Sequence, residues 1–130
     1  MLIQFDSFNI NIVDEDIAEL IVNDGVKVTI ETFEELESCF NKQFNATFGL
    51  LVNRINNYDI SFAAKSLLGS NENISAIAVV TYNKRSSNKT KEFMEFRKAD
   101  KLIMKEFSGF LHGRSQALDW LKVQCTKSHS

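Results

Sequence analysis

The run Phe48-Gly-Leu-Leu-Val-Asn-Arg54 constrains the fold of this chain more than any other stretch. Its first five residues lack the polar alternation of a strand that has one face in water. A continuous apolar run is typical of a central strand in a parallel sheet, which is buried on both faces. A polar segment, residues 55–61, follows and begins a helix. Because ligands of parallel α/β sheets bind beyond the carboxyl ends of the strands, we expect any functional site at this segment.

Two strands are predicted ahead of this run. Phe8–Val13 alternates apolar and polar residues, and the apolar stretch Ile17–Val22 follows the short acidic link Asp14–Asp16. A link of this length between two such stretches indicates an antiparallel hairpin.

The period of the apolar residues then changes to that of a helix. After the turn signal Asn23-Asp-Gly25, apolar residues recur at helical spacing from Ile30 to Phe40. Thr29 and Thr32 are both placed to cap such a helix. The spacing predicts a helix over residues 30–42.

Beyond the central run, apolar stretches of helical and strand type alternate to the end of the chain. They predict a helix Phe62–Leu68, a strand Ile74–Tyr82, a helix over 87–99, a strand Leu102–Phe107, and a helix capped by Ser115. The polar residues 125–130 are predicted to form a disordered tail. This order predicts one α/β domain over residues 1–124, with a mixed sheet of about five strands, an N-terminal antiparallel hairpin and four helices.

Composition and charge disfavour several classes of function. A net charge of −2 disfavours nucleic-acid binding, although eight basic residues lie between Lys84 and Glu106. The two cysteines have no metal-type spacing, so we expect no cofactor or metal. We also expect no signal peptide and no membrane span, and a cytoplasmic location.

The sequence contains no recognisable catalytic motif. His112 stands alone in a loop, and no nucleophile motif or phosphate-binding glycine loop is present. We therefore expect a protein that is not an enzyme. The remaining polar groups follow the third and fourth strands and form the candidate ligand or partner site: Asn53, Arg54, Tyr58, Asp59, Ser61, Asn83 and Arg85. The alternative is that Asp59 and Ser61 only cap a helix.

Four short motifs and the order of elements resemble the STAS/SpoIIAA-like superfamily, in particular its small stand-alone bacterial members of unknown function. The motifs are Asn23-Asp-Gly25, the strand Phe48–Asn53, Ala76-Ile-Ala-Val-Val80 and Ala117-Leu-Asp-Trp-Leu121. The resemblance implies a SpoIIAA-like (β/α) superhelical domain that is not an enzyme and that forms homodimers.

The resemblance also implies a candidate modification site. In the anti-sigma-factor antagonists of this superfamily, a serine in an Asp-Ser-x-Gly motif opens the second helix and is phosphorylated. Asp59-Ile-Ser-Phe62 occupies that place, with a different spacing and without the glycine. Ser61 is thus the candidate phosphorylation site.

Two functions are therefore expected. The first is a protein-interaction or regulatory domain that binds a protein partner or a second copy of itself. The alternative is a module that binds a small lipid-like or anionic ligand at the carboxyl ends of the parallel strands. Similarity to SEC14-like domains implies an apolar ligand between helices and sheet, and helix amino termini at this end of the sheet can hold an anion.

Overall fold

The computed structural model describes residues 1–110 and 112–128. The strands are β1 (Leu2–Gln4), β2 (Phe8–Asp14), β3 (Ile17–Val22), β4 (Lys27–Val28), β5 (Phe48–Arg54), β6 (Asp59–Ile60), β7 (Ile74–Thr81) and β8 (Met104–Ser108). The helices are α1 (Ile30–Gln43), α2 (Phe62–Lys65), α3 (Lys84–Phe96) and α4 (Gly113–Ser128). The predicted α/β class, N-terminal hairpin and four helices are confirmed.

The main sheet has six strands in the order β1-β2-β3-β5-β7-β8, with β5 inside it. β1, β2 and β3 pair antiparallel, whereas β3, β5, β7 and β8 pair parallel. The predicted number of five strands is wrong because β1 has three residues, too few to show an alternating pattern. A separate parallel pair joins β4 to β6.

The helices α2 and α3 begin or end away from their predicted bounds. α2 ends at Lys65, not at Leu68. α3 begins at Lys84, three residues before its predicted start, because the side chain of Asn83 caps it: Asn83 Oδ1 accepts a hydrogen bond from Ser86 N at 2.8 Å.

The last helix departs most from prediction. α4 begins at Gly113, before Ser115, and continues through Ser128. Cys125, which was expected to begin a disordered tail, is buried in this helix against Gly49. The tail prediction therefore does not describe residues 125–128, and residues 129 and 130 lie outside the described part of the chain.

Side chains of each strand alternate between two faces of the sheet, and each face has its own core. The α4 face is packed by α4 over small residues of β7, Ala76 and Ala78. Gly49 in β5 allows a close approach here, because an added Cβ would lie 3.0 Å from Cys125 Sγ. The α1–α3 face carries a larger core that contains most of the buried phenylalanines and is covered by α1, α2 and α3.

Candidate functional site

The predicted site residues do not form one site. Asn53 and Arg54 are consecutive in β5, so their side chains lie on opposite faces of the sheet. Asn53 lies on the α4 face, where its Nδ2 donates to Glu19 Oε2 at 2.9 Å. Arg54 lies on the α1–α3 face, over the ring of Tyr58. The structure therefore does not bring these two side chains together in one site.

Asp59 and Arg85 come together, but on the surface. Arg85 Nη2 lies 3.8 Å from Asp59 Oδ1, and the ammonium of Lys89 also contacts this carboxylate. The hydrogen bond from Lys89 and the nearby positive charges hold the pKa of Asp59 below its usual value. Exposed ion pairs of this kind contribute little to stability.

Ser61 and Asn83 begin helices. Ser61 Oγ accepts a hydrogen bond from Ala64 N at 3.2 Å and caps α2, as the alternative interpretation of this residue predicted. Asp59 does not cap this helix, because it lies in β6, paired with β4. Asn83 caps α3 in the same way.

A cavity of about 80 Å³ lies on the α1–α3 face, between the sheet and these helices. On a comparable measure one water needs roughly 10–15 Å³, so the space exceeds that of a single water severalfold. Most of the lining is apolar and includes Leu36, Phe40, Leu50, Val52, Ile77, Val79, Phe93 and Met104. The polar lining residues include Glu37, Arg54, Tyr58 and Thr90.

Arg54 is the unusual group in this cavity. The residue is 5% exposed. Its Nη2 donates to Tyr58 O at 3.4 Å, a long hydrogen bond, and its guanidinium carbon lies 4.5 Å from the centroid of the Tyr58 ring. The buried Nε has no hydrogen-bond partner, and no carboxylate of residues 1–110 or 112–128 lies within 4.0 Å of the guanidinium. A buried charge without a counter-charge destabilises a fold by several kcal/mol.

Two other polar groups of the cavity have partners within the protein. Glu37 Oε2 accepts from Asn71 Nδ2 at 2.8 Å, and Thr90 Oγ1 donates to Ser86 O at 2.8 Å. Burial raises the pKa of Glu37. Burial also raises the pKa of Tyr58, although the charge of Arg54 lowers it in part.

A second cavity of about 200 Å³ adjoins the first, since Phe93 and Met104 line both. Arg97, which is also buried, lines this second space. Unlike Arg54, it donates to three carbonyl or hydroxyl oxygens, Lys65 O, Leu68 O and Ser70 Oγ, and pairs with Asp100. Arg97 therefore ties the segment after α2 to the end of α3.

The α4 face carries a polar cluster that the sequence analysis missed. Glu19, 3% exposed, accepts two hydrogen bonds from Arg114, at 2.8 and 2.9 Å, besides those from Asn53 and Asn11. Burial by itself raises the pKa of Glu19, but these hydrogen bonds outweigh it and hold the pKa below the ordinary value of 4.5. The one sequence signal was a glutamate inside the apolar strand β3.

The described residues show neither a metal cluster nor a membrane helix. Within residues 1–110 and 112–128, no three histidine, cysteine or acidic side chains converge as metal ligands. In the same part of the chain, no helix combines the length and the hydropathy needed to cross a bilayer. Cys39 and Cys125 are buried and free, and burial raises the pKa of both thiols.

The order of elements and the sheet topology match a SpoIIAA-like fold, which confirms the predicted resemblance at the level of fold alone. The chain is similar to the crystal structure of an uncharacterised protein of the DUF3478 family, with a SpoIIAA-like fold, from Shewanella loihica PV-4. The two are 20% identical, and the TM-score is 0.54 over 88% of this chain and 92% of that chain. No family model and no curated protein matches the sequence.

Proposed function

We propose that this protein is a non-enzymatic module that binds a small, mainly apolar ligand in the cavity on the α1–α3 face. The observation that carries the proposal is the cavity itself: apolar side chains line it at the end of β5. A buried arginine lies there without a counter-charge from the residues that the structure describes. Binding sites for small molecules are typically concave and apolar, with a few polar groups that fix orientation.

The polar lining supports binding more than chemistry. Among the titratable groups that line the cavity, Glu37 is held by Asn71 and the raised pKa of Tyr58 keeps its phenol protonated at neutral pH. Neither is paired with a histidine or a nucleophile, as a general base would be. We therefore propose that the protein binds its ligand without transforming it.

Native mass spectrometry of freshly purified protein, followed by calorimetric titration with 1-octanol, tests this function. The wild type is expected to carry a ligand mass that denaturation removes, or to bind octanol once emptied. Val79→Phe fills the cavity and should abolish both signals, because Val79 lines it. Val123→Phe is the matched control, since Val123 is exposed on α4. Wild type without either signal, or Val79→Phe with unchanged binding, would contradict the proposal.

A second candidate function is contact with a protein partner or with a second copy of this chain. Phe62 and Phe96 favour it: they are 73% and 47% exposed, and their ring centroids lie 5.4 Å apart where α2 meets α3. Exposed aromatic side chains that adjoin one another are more typical of interaction sites than of ordinary surface. Light scattering of wild type and Phe62→Ser tests self-association, which the substitution should abolish if these rings form the contact.

Phosphorylation of Ser61 belongs to this second candidate and stays a prediction, as does a cytoplasmic location. Ser61 adjoins Phe62, so a phosphate there would add charge beside the exposed aromatic pair. Ser61→Asp should therefore change the affinity for a partner that contacts Phe62. Unchanged affinity for such a partner would exclude this switch.

A further inference from the structure

The unpaired guanidinium of Arg54 indicates what chemistry the cavity's ligand carries. Arg97 shows that this fold can satisfy a buried arginine: its guanidinium reaches three protein oxygens and a carboxylate. Arg54 is equally buried, but with the described residues it forms one long hydrogen bond, and its Nε has no partner among them. Both residues are almost inaccessible to solvent, at 5% and 6% exposed.

We propose that the ligand is an amphipathic anion, with a carboxylate or phosphate group bound to Arg54 and an apolar chain in the cavity. This inference rests on the proposed binding function and names the class of ligand. A guanidinium offers parallel N–H donors whose geometry matches the two oxygens of such a group. The ring of Tyr58 packs against the guanidinium, 4.5 Å from its central carbon, so less conformational freedom is lost on binding.

The strand register gives the ligand an orientation. Arg54 pairs with Thr81 of β7, and Met104 pairs with Ile77 of the same strand. Thr81 lies four positions beyond Ile77 in β7, so Arg54 and Met104 lie about 13 Å apart along the strands. The apolar chain would run from Arg54 past Val79 and Ile77 towards Met104, where the second cavity begins.

Calorimetric titrations of the full chain with octanoate, octyl phosphate, 1-octanol and inorganic phosphate test the inference. The wild type should bind at least one of the two amphipathic anions about tenfold or more tightly than octanol, since ionic hydrogen bonds replace neutral ones. Arg54→Met should remove this preference and keep the affinity for octanol. Arg85→Met removes an exposed arginine instead and should leave the preference unchanged.

The outcomes of these titrations distinguish the proposed binding function of the cavity from the proposed anionic head group of its ligand. Equal affinity of the wild type for octanol and for both amphipathic anions would overturn the anionic head group and leave the cavity function in place. No binding of any amphiphile would overturn both. Inorganic phosphate that binds as tightly as octyl phosphate would assign Arg54 to a free oxyanion and overturn the amphipathic ligand. The wild-type comparison decides even if Arg54→Met fails to fold.

Discussion

The two faces of the sheet differ in whether a buried charged side chain has partners within the protein. On the α4 face, Glu19 receives four hydrogen bonds, two of them from Arg114. On the α1–α3 face, no carboxylate of the described residues lies within 4.0 Å of Arg54, which borders a cavity. A buried charge that the protein satisfies by itself stabilises the fold. The one that it leaves unsatisfied lies where we propose that another molecule binds.

The largest effect is expected on the α4 face. Arg114→Met leaves the buried Glu19 carboxylate without its cation and should lower the free energy of unfolding by about 3 kcal/mol. That figure is the lower end of the usual range, because Arg114 itself is 43% exposed. Urea unfolding measures it, with the exposed Lys122→Met on the same helix as control. A loss no larger than that of the control would show that the pair adds nothing to stability.

The corresponding change on the α1–α3 face should have the opposite sign. Arg54→Met replaces an unpaired buried cation with an apolar side chain of similar length. In ligand-free protein it should raise the free energy of unfolding by about 1–2 kcal/mol. Urea unfolding of the refolded protein measures this, beside Arg85→Met as a neutral control. A decrease of similar size in the free energy of unfolding would mean that the guanidinium of Arg54 has its partners within the protein. The two faces would then not differ in how their buried charges are paired.

Two adjacent valines of β7 compare the packing of the faces directly. Val80 is fully buried on the α4 face, whereas Val79 lines the cavity. Val80→Ile adds a methylene to a closed core and should lower the free energy of unfolding by about 1 kcal/mol. Val79→Ile extends into empty space and should be neutral or slightly stabilising. Thermal unfolding of the two variants measures the difference, and equal losses would indicate that the cavity is already closed.

Elements with their own apolar period could be predicted, and elements without one could not. β5 and β7 are continuous apolar runs, and α1 has a helical spacing and a threonine cap. β1, β4 and β6 have two or three residues each, so their conformation depends on the strand beside them. The end of α4 was mistaken for a tail because Thr126 and Lys127 are exposed while Cys125 packs in the core.

The site could be predicted only in part, for a related reason. The position of Arg54 at the carboxyl end of β5 was sufficient to select it. The alternation of side chains along that strand could also have separated Arg54 from Asn53. The pairing of Glu19 with Arg114 joins residues 95 positions apart, and no local pattern encodes it. A missing partner for Arg54 is equally invisible in sequence, because it depends on everything that packs around the side chain.

Two glutamates should give the faces opposite responses to acid. Burial tends to raise the pKa of Glu19, but hydrogen bonds hold it below 4.5, so its contribution to stability is present above that pH and is lost as the pH falls through the folded-state pKa. The pKa of Glu37 is raised by burial, so this group favours folding more as the pH falls through its own folded-state pKa. Its effect should be smaller, below about 1 kcal/mol, because the side chain is partly solvated.

Urea unfolding of wild type, Glu19→Gln and Glu37→Gln between about pH 7 and about pH 4 separates these contributions. On acidification the wild type should lose stability relative to Glu19→Gln and gain it relative to Glu37→Gln, so each variant is the control for the other. If the wild type instead loses stability relative to both variants, Glu37 is held as an ion, as Glu19 is. The obvious counter-charge for it would be Arg54, which lines the same cavity. In that case the counter-charge of Arg54 would be the carboxylate of Glu37, and not the ligand that we propose.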